Sequence, residues 1–137
     1  MFVFDAVVHA QDFTDQQIRP HSDGQPVRTL RHQLGEFTQL TARKGPPAHP
    51  DFAEPPDLDW ANRVLFEQSD TDLAMACTVP LYSDWKAGLG PPELSYQLAR
   101  SNPSRILFTG GVDPSWQGLD VALREMERQV TEWGAVS

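Results

Sequence analysis

Three short, nearly continuous apolar runs, separated by segments of helical periodicity, constrain this 137-residue chain more than any other feature. The first is Phe2-Val3-Phe4-Asp5-Ala6-Val7-Val8, broken only by Asp5 and followed by His9. The second is Asp72 to Val79, ended by Pro80, and the third is Arg105 to Gly110. A half-wetted strand alternates apolar and polar residues. Runs without that alternation suit strands buried on both faces, as in parallel sheets. Between and after them the spacing predicts helices. One runs over 57–69, opened by Pro55-Pro56 and capped by Asp57, with Leu58, Ala61, Val64 and Leu65 as its stripe. A second runs from Pro91-Pro92 to about Asn102, with Leu94 and Leu98, and Asn102-Pro103 breaks it. A third covers 117–132, where Leu119, Ala122, Leu123, Met126, Val130 and Trp133 fit a 3.6-residue period and read as core packing. Gly134 stops it, and Ala135-Val136 reads as the start of a fourth strand. The order β-loop-α-β-α-β-α-β makes the fold class α/β, with a parallel sheet and right-handed crossovers.

Residues 10–56 do not fit the alternation. They hold seven of the twelve prolines and few large apolar residues. A helix around 29–41 is predicted from Leu30, Leu34 and Phe37, and the rest reads as irregular loop. A loop of that length is usually functional or disordered.

Composition excludes some partners. The net charge of −8 argues against binding nucleic acid or an anionic membrane surface through a basic patch. A single cysteine, Cys77, rules out a disulfide framework within one chain and fits a reducing compartment. No basic-then-apolar leader opens the sequence, and no apolar run approaches the roughly 18 residues of a membrane span. The expectation is a soluble, cytoplasmic protein.

Two completions of the architecture are physically open. One is a small open sheet with helices on both faces. The other is the first half of a (β/α)₈ barrel, whose whole takes roughly 250 residues. The second leaves strand edges unpaired and the inner face bare, and something else must cover it.

Several blocks in order resemble the amidohydrolase-related proteins, metal-dependent hydrolases and decarboxylases on a (β/α)₈ TIM barrel. They are Phe4-Asp5-Ala6-Val7-Val8-His9, the stretch from Leu65 to Ala74 with Thr78-Val79-Pro80-Leu81, the stretch from Asn102 to Pro114, and Ala122 to Gln129 with Glu132 and Gly134-Ala135-Val136. The resemblance implies that residues 1–137 form a single partial barrel domain, with 10–56 as a cap over the mouth. It covers only the N-terminal part of such a protein. It also implies a divalent metal, zinc or manganese, in a completed site, and a small carboxylated or cyclic substrate. The remaining strands and ligands would then come from further chain, a complementary C-terminal half-barrel chain, or a homo-oligomer.

The candidate site residues lie at the strand ends. His9 closes the first strand, on the side where barrel active sites lie, and is the candidate metal ligand. The family usually supplies a second ligand two residues earlier. Here that residue is Val7, and Asp5, two further back, is expected on the same side but deeper. Against this stands a structural role for His9 as a hydrogen-bonded strand-end residue. Tyr82 and Trp85 follow the second strand and either line a substrate pocket or anchor their loop. Asp113 follows the third strand and either orients a substrate or caps the next helix. Cys77 is expected to be a buried, inert thiol. His21, His32 and His49 read as surface residues, and Gly110-Gly111 lacks the Lys-Ser/Thr of a phosphate loop. No catalytic acid, base or nucleophile is identifiable. Three readings follow: part of an amidohydrolase-related hydrolase or decarboxylase; a non-catalytic half-barrel subunit or interaction protein; and, less favoured, a small doubly wound sheet binding a ligand at its switch point.

Overall fold

The computed structural model describes residues 1–41 and 52–137. It shows an α/β fold around a three-stranded parallel sheet in the order β1-β2-β3, comprising β1 (Phe4–Val8), β2 (Leu73–Cys77) and β3 (Ile106–Thr109). The helices are α1 (Gln25–Thr41), α2 (Leu58–Phe66), α3 (Pro92–Ser101), α4 (Pro114–Gln117) and α5 (Leu119–Thr131), and a 3₁₀ turn spans Asp15–Gln17. The expected His49 surface position lies outside the described residues, as does part of the long loop.

The strands are shorter than the apolar runs, because the run ends cross into turns. In β2 and β3 the register pairs Ala74 with Ile106 and Ala76 with Phe108, and all four side chains are buried. Helices α2 and α3 cover this face. Leu98 is fully buried against it, with Leu58, Ala61, Leu65 and Leu94 packed around. At the end of α5, Trp133 joins the same layer. It stacks on Tyr96 at 4.7 Å and meets Phe108 edge-on.

The opposite face carries Phe4 and Leu73, which pair, and Met75, Leu107, Cys77 and Thr109. These side chains are half-buried or exposed. No described helix packs there as α3 does on the other side. Among the described residues the sheet therefore carries helices on one face, where a doubly wound sheet carries them on both.

Three expectations are corrected. First, α1 begins at Gln25 rather than near Thr29. Pro26 reads as a breaker, but proline is tolerated in a helix's first turn, where its missing N–H is an orphan in any case. Second, the helix predicted over 117–132 is two: Asp113 caps the short α4 and Gly118 separates it from α5. Third, the α5 stripe is not core. Leu119, Leu123, Met126 and Val130 are 48–64% exposed, while only Ala122 and Gln129 are buried. The helix lies at the rim of a three-stranded sheet, and no described strand lies under its apolar side.

The expected fourth strand is not regular, although the chain there does run beside β3. Val136 N–H donates to Phe108 O at 2.9 Å, and Gly110 N–H donates to Ser137 O at 2.9 Å. No described helix is long and apolar enough to cross a membrane.

Candidate functional site

The carboxyl ends of the three parallel strands bring together His9, the loop after β2 and the turn after β3. His9 follows β1 directly and is exposed. Its Nδ1 lies 3.0 Å from Cys77 O at the end of β2. A carbonyl oxygen only accepts, so this hydrogen bond places the proton on Nδ1. In the neutral ring Nε2 then carries the free lone pair. Metal-binding imidazoles are commonly oriented through a backbone carbonyl in this way.

The rest of the first-strand ligand set is not assembled. The β1–β2 register shifts between Asp5 and Val8, so that Asp5 pairs with Ala74 and Val8 with Ala76. This bulge puts Asp5 and Val8 on the helix-covered face, which corrects the expectation that Asp5 shares a side with Val7 and His9. Asp5 instead accepts a 3.2 Å hydrogen bond from Val7 N–H. Val7 is exposed and has no donor atom. Among the described residues, no group of three or more His, Cys, Asp or Glu side chains is placed to hold a metal ion. A divalent centre wants three or four protein ligands. The donors assembled here among the described residues amount to one imidazole and do not fit one.

Cys77 is half-buried rather than fully buried, on the face where no described helix packs. Its Sγ approaches the carbonyls of Met75 and Ala6 at 3.5 and 3.6 Å.

Tyr82 and Trp85 are both buried in the loop after β2. Segment 16–22 of the long loop lies against them. Arg19 N–H donates to Asp84 O and Lys86 N–H to Gln17 O, at 3.0 and 2.8 Å. Arg19 Nε reaches both Tyr82 O and Trp85 O, at 2.6 and 3.2 Å. Its guanidinium sits 4.9 Å above the centroid of Trp116, on which His21 also stacks. His21 and His32 are both exposed.

Burial pushes the Tyr82 phenol above its ordinary value of 10.0; the Glu125 and Asp113 carboxylates push the same way, and Arg19 opposes them. The folded state therefore holds this proton at pH values where the unfolded chain releases it. Its contribution to stability is complete below pH 10 and falls as pH rises through the folded value. Tyr82→Phe is expected to remove that alkaline fall from urea-unfolding free energies measured between pH 8 and 11. An unchanged pH profile would contradict the assignment.

Asp113 caps α4. Its Oδ1 accepts from Ser115 N–H and Trp116 N–H, at 3.0 and 3.2 Å. One further residue shapes this end of the sheet and escaped sequence reasoning. Gln129 on α5 is buried, and its amide brackets the Gly111 peptide: Gly111 N–H donates to Oε1 at 2.8 Å, and Nε2 donates to Gly111 O at 3.2 Å. Nε2 also reaches Glu125 Oε1 at 3.0 Å. The available signal was positional, since Gln129 is seven residues after Ala122 and so lies on the same helix face.

Beside His9 an open pocket of about 110 Å³ lies between the end of β1 and α2. Val8, Phe13, Leu58, Trp60 and Leu98 give it an apolar wall, and His9 and Asp57 stand at its lining. Tyr82, Trp85 and Asp113 do not line it. No family model matches the chain, and no curated protein or solved structure is significantly similar to it.

Proposed function

We propose that this chain is part of a larger (β/α) cylinder, and that His9 is one ligand of a divalent-metal centre, zinc or manganese, in an amidohydrolase-related hydrolase or decarboxylase acting on a small organic substrate. The observation that carries the reading is the His9–Cys77 hydrogen bond, which leaves the Nε2 lone pair free at the carboxyl end of a parallel sheet. Two further observations support it. No described helix packs on the Met75 and Leu107 side of the sheet, and β3 has further backbone running along its outer edge at Val136 and Ser137. Other βα units, from further chain or a complementary chain, would supply the remaining ligands. The completed metal would polarise a substrate oxygen or activate water. Within this chain, His9 would bind and Cys77 O would hold its ring in orientation.

Paramagnetic titration tests the metal role. Manganese added to the isotope-labelled chain is expected to broaden His9 ring signals first, at millimolar concentration, as a single imidazole allows. His9→Ala should abolish that broadening. Broadening confined to surface carboxylates, with His9 untouched, would remove the reading. A non-catalytic half-barrel subunit is the second reading, and Val7 favours it, because a valine stands where the resemblance calls for a ligand.

A further inference from the structure

We infer that the pocket beside His9 takes a small protonated amine carried on an apolar ring, an arylalkylammonium, with its ring against Phe13 and Trp60 and its ammonium toward the Glu54 carboxylate. No part of this site draws on a metal at His9. Its walls come from the end of β1, from residues 10–13 and 52–57, and from α2 and α3. They stand on the helix-covered side of the sheet. None of them belongs to the Met75 and Leu107 side or to the backbone beside β3, where the proposed function adds further βα units.

Size sets the first limit. The pocket holds about 110 Å³ and is open. A dry apolar cavity of about 150 Å³ admits benzene. One six-membered ring therefore fits here with its substituent at the opening. Phe13 and Phe52 meet edge to face with 6.1 Å between centroids, and Leu58, Trp60 and Leu98 extend the apolar wall. Such a wall buries a ring, and the few polar groups around it decide what the ring carries.

Those polar groups are mainly acceptors. Glu54 and Asp57 line the pocket, and a carboxylate only accepts. His9 presents an acceptor as well, because its Nδ1 proton is committed to Cys77 O. Gln11 and Trp60 carry the side-chain donors, and no Lys or Arg is among the lining residues. An anionic ligand would meet two like charges without a counter-ion. An ammonium meets acceptors, and aromatic rings add to its hold.

The two carboxylates are not equivalent. Asp57 Oδ1 accepts from Trp60 N–H at 2.9 Å as the α2 cap, and its Oδ2 stands 3.8 Å from Arg63. With Asp59 in the first turn, it already answers the positive end of α2. Glu54 is exposed and makes no hydrogen bond or ion pair among the described residues. It is the group left to meet an ammonium at the mouth.

Chemical-shift titration of the isotope-labelled full chain with benzylammonium, benzyl alcohol and benzoate tests the assignment. The three probes share one shape and differ in charge. About 0.15 M sodium chloride screens the diffuse pull of the −8 net charge on any cation. The expected result is saturable binding of benzylammonium at about millimolar Kd, with Phe13, Leu58 and Trp60 shifting together. Benzyl alcohol should bind about three- to fivefold more weakly, and benzoate should not bind. Glu54→Gln should weaken benzylammonium by about the same factor and leave benzyl alcohol unchanged. Equal affinity for ammonium and alcohol overturns the inference, as does binding of benzoate. So does benzylammonium that shifts only surface carboxylates, or an affinity unmoved in Glu54→Gln. The comparison of probes on the unaltered chain needs no variant to fold. Manganese is read on the His9 ring signals, so failure of the metal reading leaves this result standing.

Discussion

Gln129→Leu is expected to destabilise the fold by about 2–4 kcal/mol in urea unfolding, although it replaces a polar side chain with an apolar one in a buried position. The reason lies in what the amide satisfies. Gly111 presents both its N–H and its C=O to Gln129, which answers them as a neighbouring strand would. Leucine fills the space and answers neither. Leaving a buried donor or acceptor without a partner costs about 1–3 kcal/mol each, and the Glu125 carboxylate loses a donor as well. Gln129→Glu separates the two halves of the effect: it keeps an acceptor for Gly111 N–H but removes the donor and adds a charge next to Glu125. It should be at least as damaging as leucine at neutral pH and should recover in part in acid. A loss under 1 kcal/mol for Gln129→Leu would mean that the Gly111 peptide is held by something else.

Gly111→Ala should cost about 2–3 kcal/mol, and Thr78→Ala should restore more than half of it. A Cβ built on Gly111 would fall well inside contact distance of Thr78 Oγ1, with the Pro80 ring next nearest. The backbone at Gly111 needs no unusual conformation, so the conflict is purely one of space. The Thr78 hydroxyl is buried and has no hydrogen-bond partner among the described residues. Removing it therefore forfeits no bond while clearing the room that alanine needs. Gly110 is tight against a different neighbour, with its added Cβ at 2.5 Å from Gln129 Oε1. Gly110→Ala should accordingly be insensitive to Thr78→Ala, and this contrast distinguishes a specific collision from general crowding. Equal rescue of both glycine variants would defeat the explanation.

Much of the fold was legible because it rests on local rules. The β2 run, the Asp57 cap with its 2.9 Å bond from Trp60 N–H, and the Leu94–Leu98 face of α3 are each set by residues close in sequence. Even so, the reading failed at α5. Its periodicity was correct, but periodicity identifies an apolar side without saying what lies opposite. Gln129 turns inward to the Gly111 turn after β3, eighteen residues earlier, and that tertiary contact decides which side of the helix is inward. The bulge in β1 is a second such case. A shift between Asp5 and Val8 moves Asp5 to the other face, and no alternation count within the strand can register it.

The site divides along the same line. The expectation of a site at the carboxyl ends of parallel strands, and the proposal of His9 as the donor there, come from the order of elements. The free lone pair on Nε2 depends on Cys77 O, and the docking of Arg19 depends on Tyr82 O and Trp85 O, each more than sixty residues away. Backbone carbonyls carry no residue identity, so no motif announces them.

What the amino-acid order determined by itself is therefore the three strands with their parallel pairing and the helices α2 and α3, because hydrophobic period and capping act over a few residues. Which faces are covered, where Asp5 points and why Gln129 is buried were decided only in three dimensions, because burial depends on what a distant part of the chain brings alongside.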